Sequence, residues 1–232
     1  FSDALSNAAD IIGVPVANLL AETEVLIYGT TRSTNSIVEN KTAKTALLVT
    51  QGFPDTLLYR QGGKREPLNL AIEFPPPYVP RRLTFEIPER INAEGGIEIA
   101  LDEAVARATV ESLAPMNIEA VAVSLLWSIV NPSHEARIGE LIAEIMPGIP
   151  YTLSHQLNPI IREYPRTSST AIDASLKPLM QSHLSGFQSD LRSANYKGEI
   201  LVSACSGGVM HVDDVVEKPI YTVKSGPAMA PL

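Results

Sequence analysis

A single cysteine, Cys205, occurs in 232 residues. No internal disulfide can form, and a reducing, cytoplasmic setting is expected. Positive charge is also in short supply. The 18 Lys and Arg face 26 Asp and Glu, for a formal net charge of -8. That excludes nucleic acid as an expected partner, because neutralising phosphates takes clustered cations. The densest basic groups, Arg60 to Arg65 and Arg81-Arg82, are short and read as solvated loop charge. Long apolar runs are missing too. The longest, Ala120 to Val130, contains Ser124 and Ser128 and is too short to cross a bilayer, so no membrane partner and no signal segment are expected. The phosphate-loop pattern GxxxxGK[ST] is absent, as is GxGxxG. The four histidines, His134, His155, His183 and His211, stand far apart without metal-ligand spacing, so no metal site is expected. There is no Ser-His-Asp signature and no nucleophile elbow.

Apolar residues make up 45% of the chain, enough for one large domain or two smaller ones. Leu5, Ala8-Ala9 and Ile12 recur at helical spacing, Gly13 stops that helix, and Pro15 opens a second through Leu20. Val25 to Tyr28 and Thr45 to Thr50 read as strands, with a helix over Thr34 to Glu39 between them. Residues 60–100 form a proline-rich excursion. Pro67, Pro75-Pro76-Pro77, Pro80 and Pro88 exclude regular helix there, while strands fit Leu83 to Ile87 and Ile97 to Ala100. Residues 101–150 read as a βαβ-like portion. It begins with a helix over Asp102 to Leu113 that presents Val105, Ala108 and Ser112 on one face. The near-continuous apolar run Ala120 to Leu126 marks a strand covered on both faces, as in parallel sheets. Asn131-Pro132 then starts a helix with the apolar stripe Ile138, Leu141, Ile142 and Ile145. A strand over Tyr151 to Leu157 follows. A long helix runs from Pro165 to about Ala194, kinked or divided at Pro178. The fold class is therefore α/β, with a mixed or parallel sheet flanked by helices.

Three small-residue turns sit at the carboxyl ends of expected strands. Gly29-Thr30-Thr31 follows Val25 to Tyr28, Ser206-Gly207-Gly208 follows Ile200 to Cys205, and Ser225-Gly226-Pro227 follows Ile220 to Val223. The first two lead towards expected helices. Such turns let backbone N–H groups and hydroxyls approach an anion, and α/β sheets bind ligands beyond the carboxyl ends of strands. Each turn also reads as a plain connection. Arg166 with Thr167 to Thr170 reads either as an anion-binding group or as a hydroxyl cluster capping a helix. Cys205 reads as a small buried residue at a strand end.

Six segments, in order, resemble the hydantoinase/oxoprolinase family. Tyr28-Gly29-Thr30-Thr31 with Thr34-Asn35 is similar to its HGTT…TN element. Lys44 to Asp55 resembles its next strand and "GF.D" turn. Val121 to Ser128 with Asn131-Pro132-Ser133-His134-Glu135 resembles "AV…L.S..NP.HE". Ile161 to Thr170 is similar to "IREYERTSTT". Ser206-Gly207-Gly208 and Ser225-Gly226-Pro227-Ala228 resemble the "SNGG" and "SGPA" turns. Tyr28 stands where the family usually has His, and Ser206 where it often has Asn.

The resemblance implies that residues 1–232 are an N-terminal-type region of the family's ATPase subunit. That subunit has an actin-like (ribonuclease H-like) fold with an inserted α+β portion. The implied activity is ATP-dependent opening of a cyclic amide of hydantoin or 5-oxoproline type, the substrate oxygen being activated by phosphorylation. ATP-dependent ketone carboxylation is the alternative within the family, and a non-catalytic binding or assembly module the alternative outside it. ATP with Mg2+ is the implied cofactor, and the partner a second subunit of the hydantoinase B type. The main phosphate loops, of DxGGT type, are expected before residue 1 and after residue 232, leaving this portion inactive alone. Gly29, Thr30, Thr31, Arg166, Ser206, Gly207, Gly208, Ser225 and Gly226 are the expected site lining. No catalytic base is assigned.

Overall fold

The computed structural model describes residues 2–62, 66, 68–69 and 71–229. Parts of the proline-rich excursion, Pro67 and Leu70 among them, lie outside the described residues. Nine strands are assigned among the described residues: β1 (Val25–Tyr28), β2 (Thr45–Thr50), β3 (Thr84–Ile87), β4 (Arg90–Ile91), β5 (Ile97–Ile99), β6 (Ala120–Ser124), β7 (Tyr151–Leu153), β8 (Glu199–Ser203) and β9 (Val209–His211). The chain divides into two compact units, Phe1–Lys41 with Leu179–Leu232, and Thr42–Pro178.

In the unit Thr42–Pro178, the four strands in the order β3-β2-β6-β7 pair in parallel. Every residue of β2 and β6 is buried. Their apolar and β-branched runs are covered on both faces, as parallel strands between helices require. The helices Glu103–Leu113 and Ser133–Ile145 provide cover. The second of these buries Ile138, Leu141 and Ile142 and carries the crossover from β6 to β7. The first turns Ala106, Val110 and Leu113 inward, not the face with Val105, which is 40% exposed. These three recur at i, i+4 and i+7, a helical stripe that the expected face did not follow. The short β4 and β5 form a separate antiparallel ladder.

In the other unit, β1 pairs in parallel with β8, and β8 pairs antiparallel with β9. Several expectations are corrected here. Ser206-Gly207-Gly208 does not lead into a helix. It is the turn of the β8–β9 hairpin, with Gly207 and Gly208 at φ +82° and +75°. Such angles suit glycine and favour hairpin turns. Ile220 to Val223 is not a strand: Pro219–Thr222 is a 3-10 helix, with Pro219 in its first turn and Thr222 Oγ1 donating to the Pro219 carbonyl at 2.7 Å. Cys205 is exposed, not buried. In the first unit described, the expected strand Tyr151 to Leu157 ends at Leu153 and continues as the helical turn Ser154–Leu157. The long helix Glu163–Ser193 is continuous at Pro178, so it is not divided there. One lost donor in 31 residues is outweighed by buried neighbours on both sides, Leu176 and Met180 among them. Among the described residues no single helix is long and apolar enough to cross a membrane.

Candidate functional site

Two places in the molecule are built like sites, one in each unit. The first follows from strand direction. β1 and β8 are parallel, with Tyr28 opposite Val202, so Gly29 and Ser203 leave the sheet at the same rim. A Cβ on Gly29 would stand 3.4 Å from Ser203 Oγ. Ser225-Gly226-Pro227 is not a turn after a strand but opens the short helix Ser225–Met229, and this helix start closes on the Gly29-Thr30-Thr31 turn. Ser225 Oγ donates to the Thr30 carbonyl at 3.4 Å, Lys224 N donates to Thr34 Oγ1 at 2.9 Å, and a Cβ on Gly226 would lie 3.9 Å from the Thr31 methyl. The hairpin turn is tied in through Cys205 N, which donates to the Tyr221 carbonyl at 2.7 Å. Gly29, Thr30, Thr31, Ser206, Gly207, Gly208, Ser225 and Gly226 thus gather in one unit. Ser203 Oγ, beneath Gly29, is buried and without a hydrogen-bond partner. Buried hydroxyls are normally satisfied; the other buried side-chain atom without a partner among the described residues is Arg166 Nε.

Beside that rim, Tyr28 meets His183. Tyr28 Oη lies 2.9 Å from His183 Nε2, and Arg32 Nη1 lies 2.9 Å from His183 Nδ1. A guanidinium only donates, so Nδ1 accepts and Nε2 carries the proton that Tyr28 receives. Burial, and secondly the charge of Arg32, hold the His183 pKa below its ordinary value. Sequence reasoning passed over this histidine, because its partners lie more than 150 residues away.

The second place lies beyond the carboxyl ends of β2, β3 and β6. A cavity of about 660 Å3 opens there, lined by Gly52, Phe53, Asp55, Thr56, Tyr59, Arg60, Gln61, Arg90, Leu126, Trp127, Arg162, Glu163, Tyr164 and Pro165. The chain leaves β2 to one side for β3 and returns on its other side as β6, a topology that opens a crevice at strand ends. A buried polar cradle shapes its wall. Glu135, 0% exposed, accepts from Leu125 N at 2.9 Å, from Ser154 Oγ at 2.7 Å and from His155 N at 3.0 Å. Leu126 N donates to Thr50 Oγ1 at 2.9 Å, and Thr50 Oγ1 in turn donates to Glu89. Glu89 also meets His134 Nδ1 at 2.8 Å. With both preceding amides captured, Trp127 is held at φ +56° on the cavity wall.

Arg166 belongs to this cradle and to the unit Thr42–Pro178, apart from the other eight expected residues. It is 1% exposed and donates to the Leu125 carbonyl at 3.0 Å and the Ile160 carbonyl at 2.8 Å. Burial draws its pKa below the usual arginine value, against the charges of Glu135 and Glu163. Its Nη1 and Nη2 are occupied by backbone, while the buried Nε has no partner. The cavity residues Arg60, Arg90, Arg162, Trp127 and Tyr164 were missed as a site. The available signal was a concentration of arginine and aromatic residues in the GF.D and IREY segments, which only the sheet brings together.

Comparison with known proteins identifies the family. Residues 3–146 match the hydantoinase/oxoprolinase N-terminal region and residues 166–230 match hydantoinase/oxoprolinase. The chain is 32% identical to caprolactamase subunit alpha of Pseudomonas jessenii over 229 residues, covering 98% of this chain and 33% of that subunit. It is 31% identical to the acetophenone carboxylase gamma subunit of Aromatoleum aromaticum over 245 residues, covering 100% of this chain and 33% of that subunit. The crystal structure of the ATP-dependent caprolactamase superposes with a TM-score of 0.89 at 31% identity, over 99% of this chain and 34% of that one. A nucleotide-free acetone carboxylase structure gives 0.82 at 25% identity, over 95% of this chain and 32% of that one. The chain thus spans about a third of the length of these relatives. On the match across most of its length, the chain belongs to the hydantoinase/oxoprolinase family.

Proposed function

We propose that this chain is part of an ATP-dependent enzyme that opens a cyclic amide of hydantoin or 5-oxoproline type. The observation that carries the reading is the closure of Ser225 and Lys224 on Thr30 and Thr34, at the rim where Gly29 leaves β1 beside the unpartnered Ser203 Oγ. Uncharged hydroxyls and glycine-bearing turns at a strand rim suit phosphate oxygens. Thr30, Thr31, Gly207 and Gly208 would hold the phosphates of ATP, with Ser203 beneath them. When bound, ATP supplies the phosphoryl group that activates the amide oxygen. Among the described residues, no three or more His, Cys, Asp or Glu converge as a metal cage. The accompanying Mg2+ would then ride largely on the phosphates, as Mg2+ commonly does.

In this reading the rim belongs to an actin-like ATPase subunit that works with a second subunit. The relatives' own names, caprolactamase subunit alpha and carboxylase gamma and beta subunits, support a partnered assembly. Arg166 acts on the Leu125–Trp127 loop, not on the nucleotide. A second reading, ATP-dependent carboxylation of a ketone, is favoured by the likeness to acetophenone carboxylase.

The test uses the full-length polypeptide with its partner subunit. Phosphate release from ATP is followed with hydantoin and 5-oxoproline, and with acetone and acetophenone in bicarbonate. Phosphate release coupled to amide opening supports the first reading. Coupling to bicarbonate fixation selects the second, and turnover without ATP overturns both. Thr30→Ala is expected to lower kcat/KM roughly ten-fold or more while leaving thermal stability nearly unchanged.

A further inference from the structure

The cavity in the unit Thr42–Pro178 presents three arginines that no carboxylate among the described residues pairs. Arg60, Arg90 and Arg162 all line it. Among the described residues none of the three forms an ion pair, whereas Arg81, Arg107 and Arg137 are each paired. Of the two carboxylates on the wall, Asp55 is engaged by Arg81 at 3.5 Å, and Glu163 acts electrostatically on buried Arg166. In a chain of net charge -8, such a wall marks a place for an anion. Arginine in particular suits the planar, two-oxygen geometry of carboxylate and phosphate.

Four further lining residues are aromatic: Phe53, Tyr59, Trp127 and Tyr164. Arg90 is fixed over the Phe53 ring, its guanidinium carbon 5.0 Å from the centroid. Two lining residues that are not glycine, Arg60 and Trp127, sit at positive φ, +59° and +56°. Such backbone strain persists where surrounding structure enforces it, and it gathers at binding sites. For Trp127 the enforcing groups are Glu135, Thr50 and Arg166. A volume of about 660 Å3 lies within the range of small-molecule sites.

We propose that this cavity binds a small organic oxyanion that carries a flat ring. The carboxylate or phosphate faces Arg60, Arg90 and Arg162, and the ring lies among Phe53, Trp127 and Tyr164. The assignment rests on this unit alone and holds wherever ATP binds.

The test is calorimetric titration of the full-length protein with five probes. 5-Oxoproline and AMP each carry ring and oxyanion. 2-Pyrrolidinone and adenosine keep the ring without the charge, and inorganic phosphate keeps the charge without the ring. Trp127 is the one tryptophan of this chain, so the difference in emission between wild type and Trp127→Phe isolates the signal from this wall. One of the first two probes is expected to bind at least ten-fold more tightly than its neutral counterpart and than phosphate. Arg162→Gln and Arg60→Gln, both at exposed positions, are expected to weaken it roughly ten-fold or more with unchanged melting. Which probe responds names the oxyanion. Equal binding of the neutral analogues, equal binding of bare phosphate, no binding by either ring oxyanion, or affinity unmoved by both arginine variants would each overturn the assignment.

Discussion

Glu135, on the helix Ser133–Ile145, accepts the backbone N–H of Leu125 at 2.9 Å and so ties that helix to the loop leaving β6. The same carboxylate accepts from Ser154 Oγ and His155 N just beyond β7. One buried side chain therefore fixes the carboxyl ends of two adjacent strands. Glu135→Gln keeps the shape but offers one acceptor oxygen in place of two, and it turns an amide N–H towards a donor. The expected cost is about 2–4 kcal/mol of unfolding free energy, from an unpaired buried donor. Urea denaturation measures it. A loss under about 1 kcal/mol would show that the loop is held by Thr50 and Arg166 without Glu135.

Ser203 Oγ is buried without a partner under Gly29. An unsatisfied buried hydroxyl costs about 1–3 kcal/mol. Ser203→Ala is therefore expected to leave the ligand-free protein as stable as wild type, or up to about 1 kcal/mol more stable, while weakening ATP binding. Thermal unfolding with and without ATP separates the two effects. A variant that loses stability without ligand and keeps the full ATP-induced shift would assign the hydroxyl a purely structural role.

The Gly29-Thr30-Thr31 turn after β1 was legible in the sequence because it is local: glycine and hydroxyl residues announce a turn, whereas the same signal at Ser225-Gly226-Pro227 falls in a helix. Burial of β2 and β6 was legible for the same reason, since continuous apolar runs have few other uses. The hairpin at Gly207-Gly208 was misread because a short strand such as Val209–His211 carries almost no periodicity. The arginine-lined cavity was not legible at all. Arg60 and Arg90 are 30 residues apart and Arg162 lies 72 further on, and only the order β3-β2-β6 brings their loops to one rim. Arg166 stands apart from the turns: its Nη1 and Nη2 donate to the Ile160 and Leu125 carbonyls, while its buried Nε has no partner.

Gly198 precedes β8 at the point where it meets β1. A Cβ built there would stand 2.3 Å from the Glu24 carbonyl oxygen and 2.7 Å from that of Thr23. Both are backbone atoms and cannot swing aside. Gly198→Ala is expected to cost about 3 kcal/mol, at the upper end of overpacking effects, by prising apart the β1–β8 pairing. Gly186, where an added Cβ meets nothing within 4 Å, provides the control. Gly186→Ala, inside a helix, is expected to stabilise by roughly 0.5–1 kcal/mol. Denaturation midpoints that fail to rank Gly198→Ala below Gly186→Ala would contradict the close approach of the two strands.

His183 links this fold to pH. Its neutral form accepts from Arg32 and donates to Tyr28. Protonation would set an N–H on Nδ1 against the Arg32 guanidinium. The folded-state pKa is accordingly lowered, by burial first and by Arg32 second, while the unfolded chain titrates near the usual value of about 6.5. Between those two values the unfolded state binds more protons, so stability rises with pH through that window. The contribution is present above about pH 6.5 and is lost as pH falls through the folded-state value. His183→Gln can still accept from Arg32 and donate to Tyr28 but does not titrate. The melting temperature of wild type is expected to fall more steeply between about pH 7 and pH 5 than that of the variant. Histidine ring proton shifts should place the His183 midpoint below that of a free imidazole. Parallel melting curves for the two proteins, or a midpoint above the free value, would show that Arg32 does not hold the neutral ring.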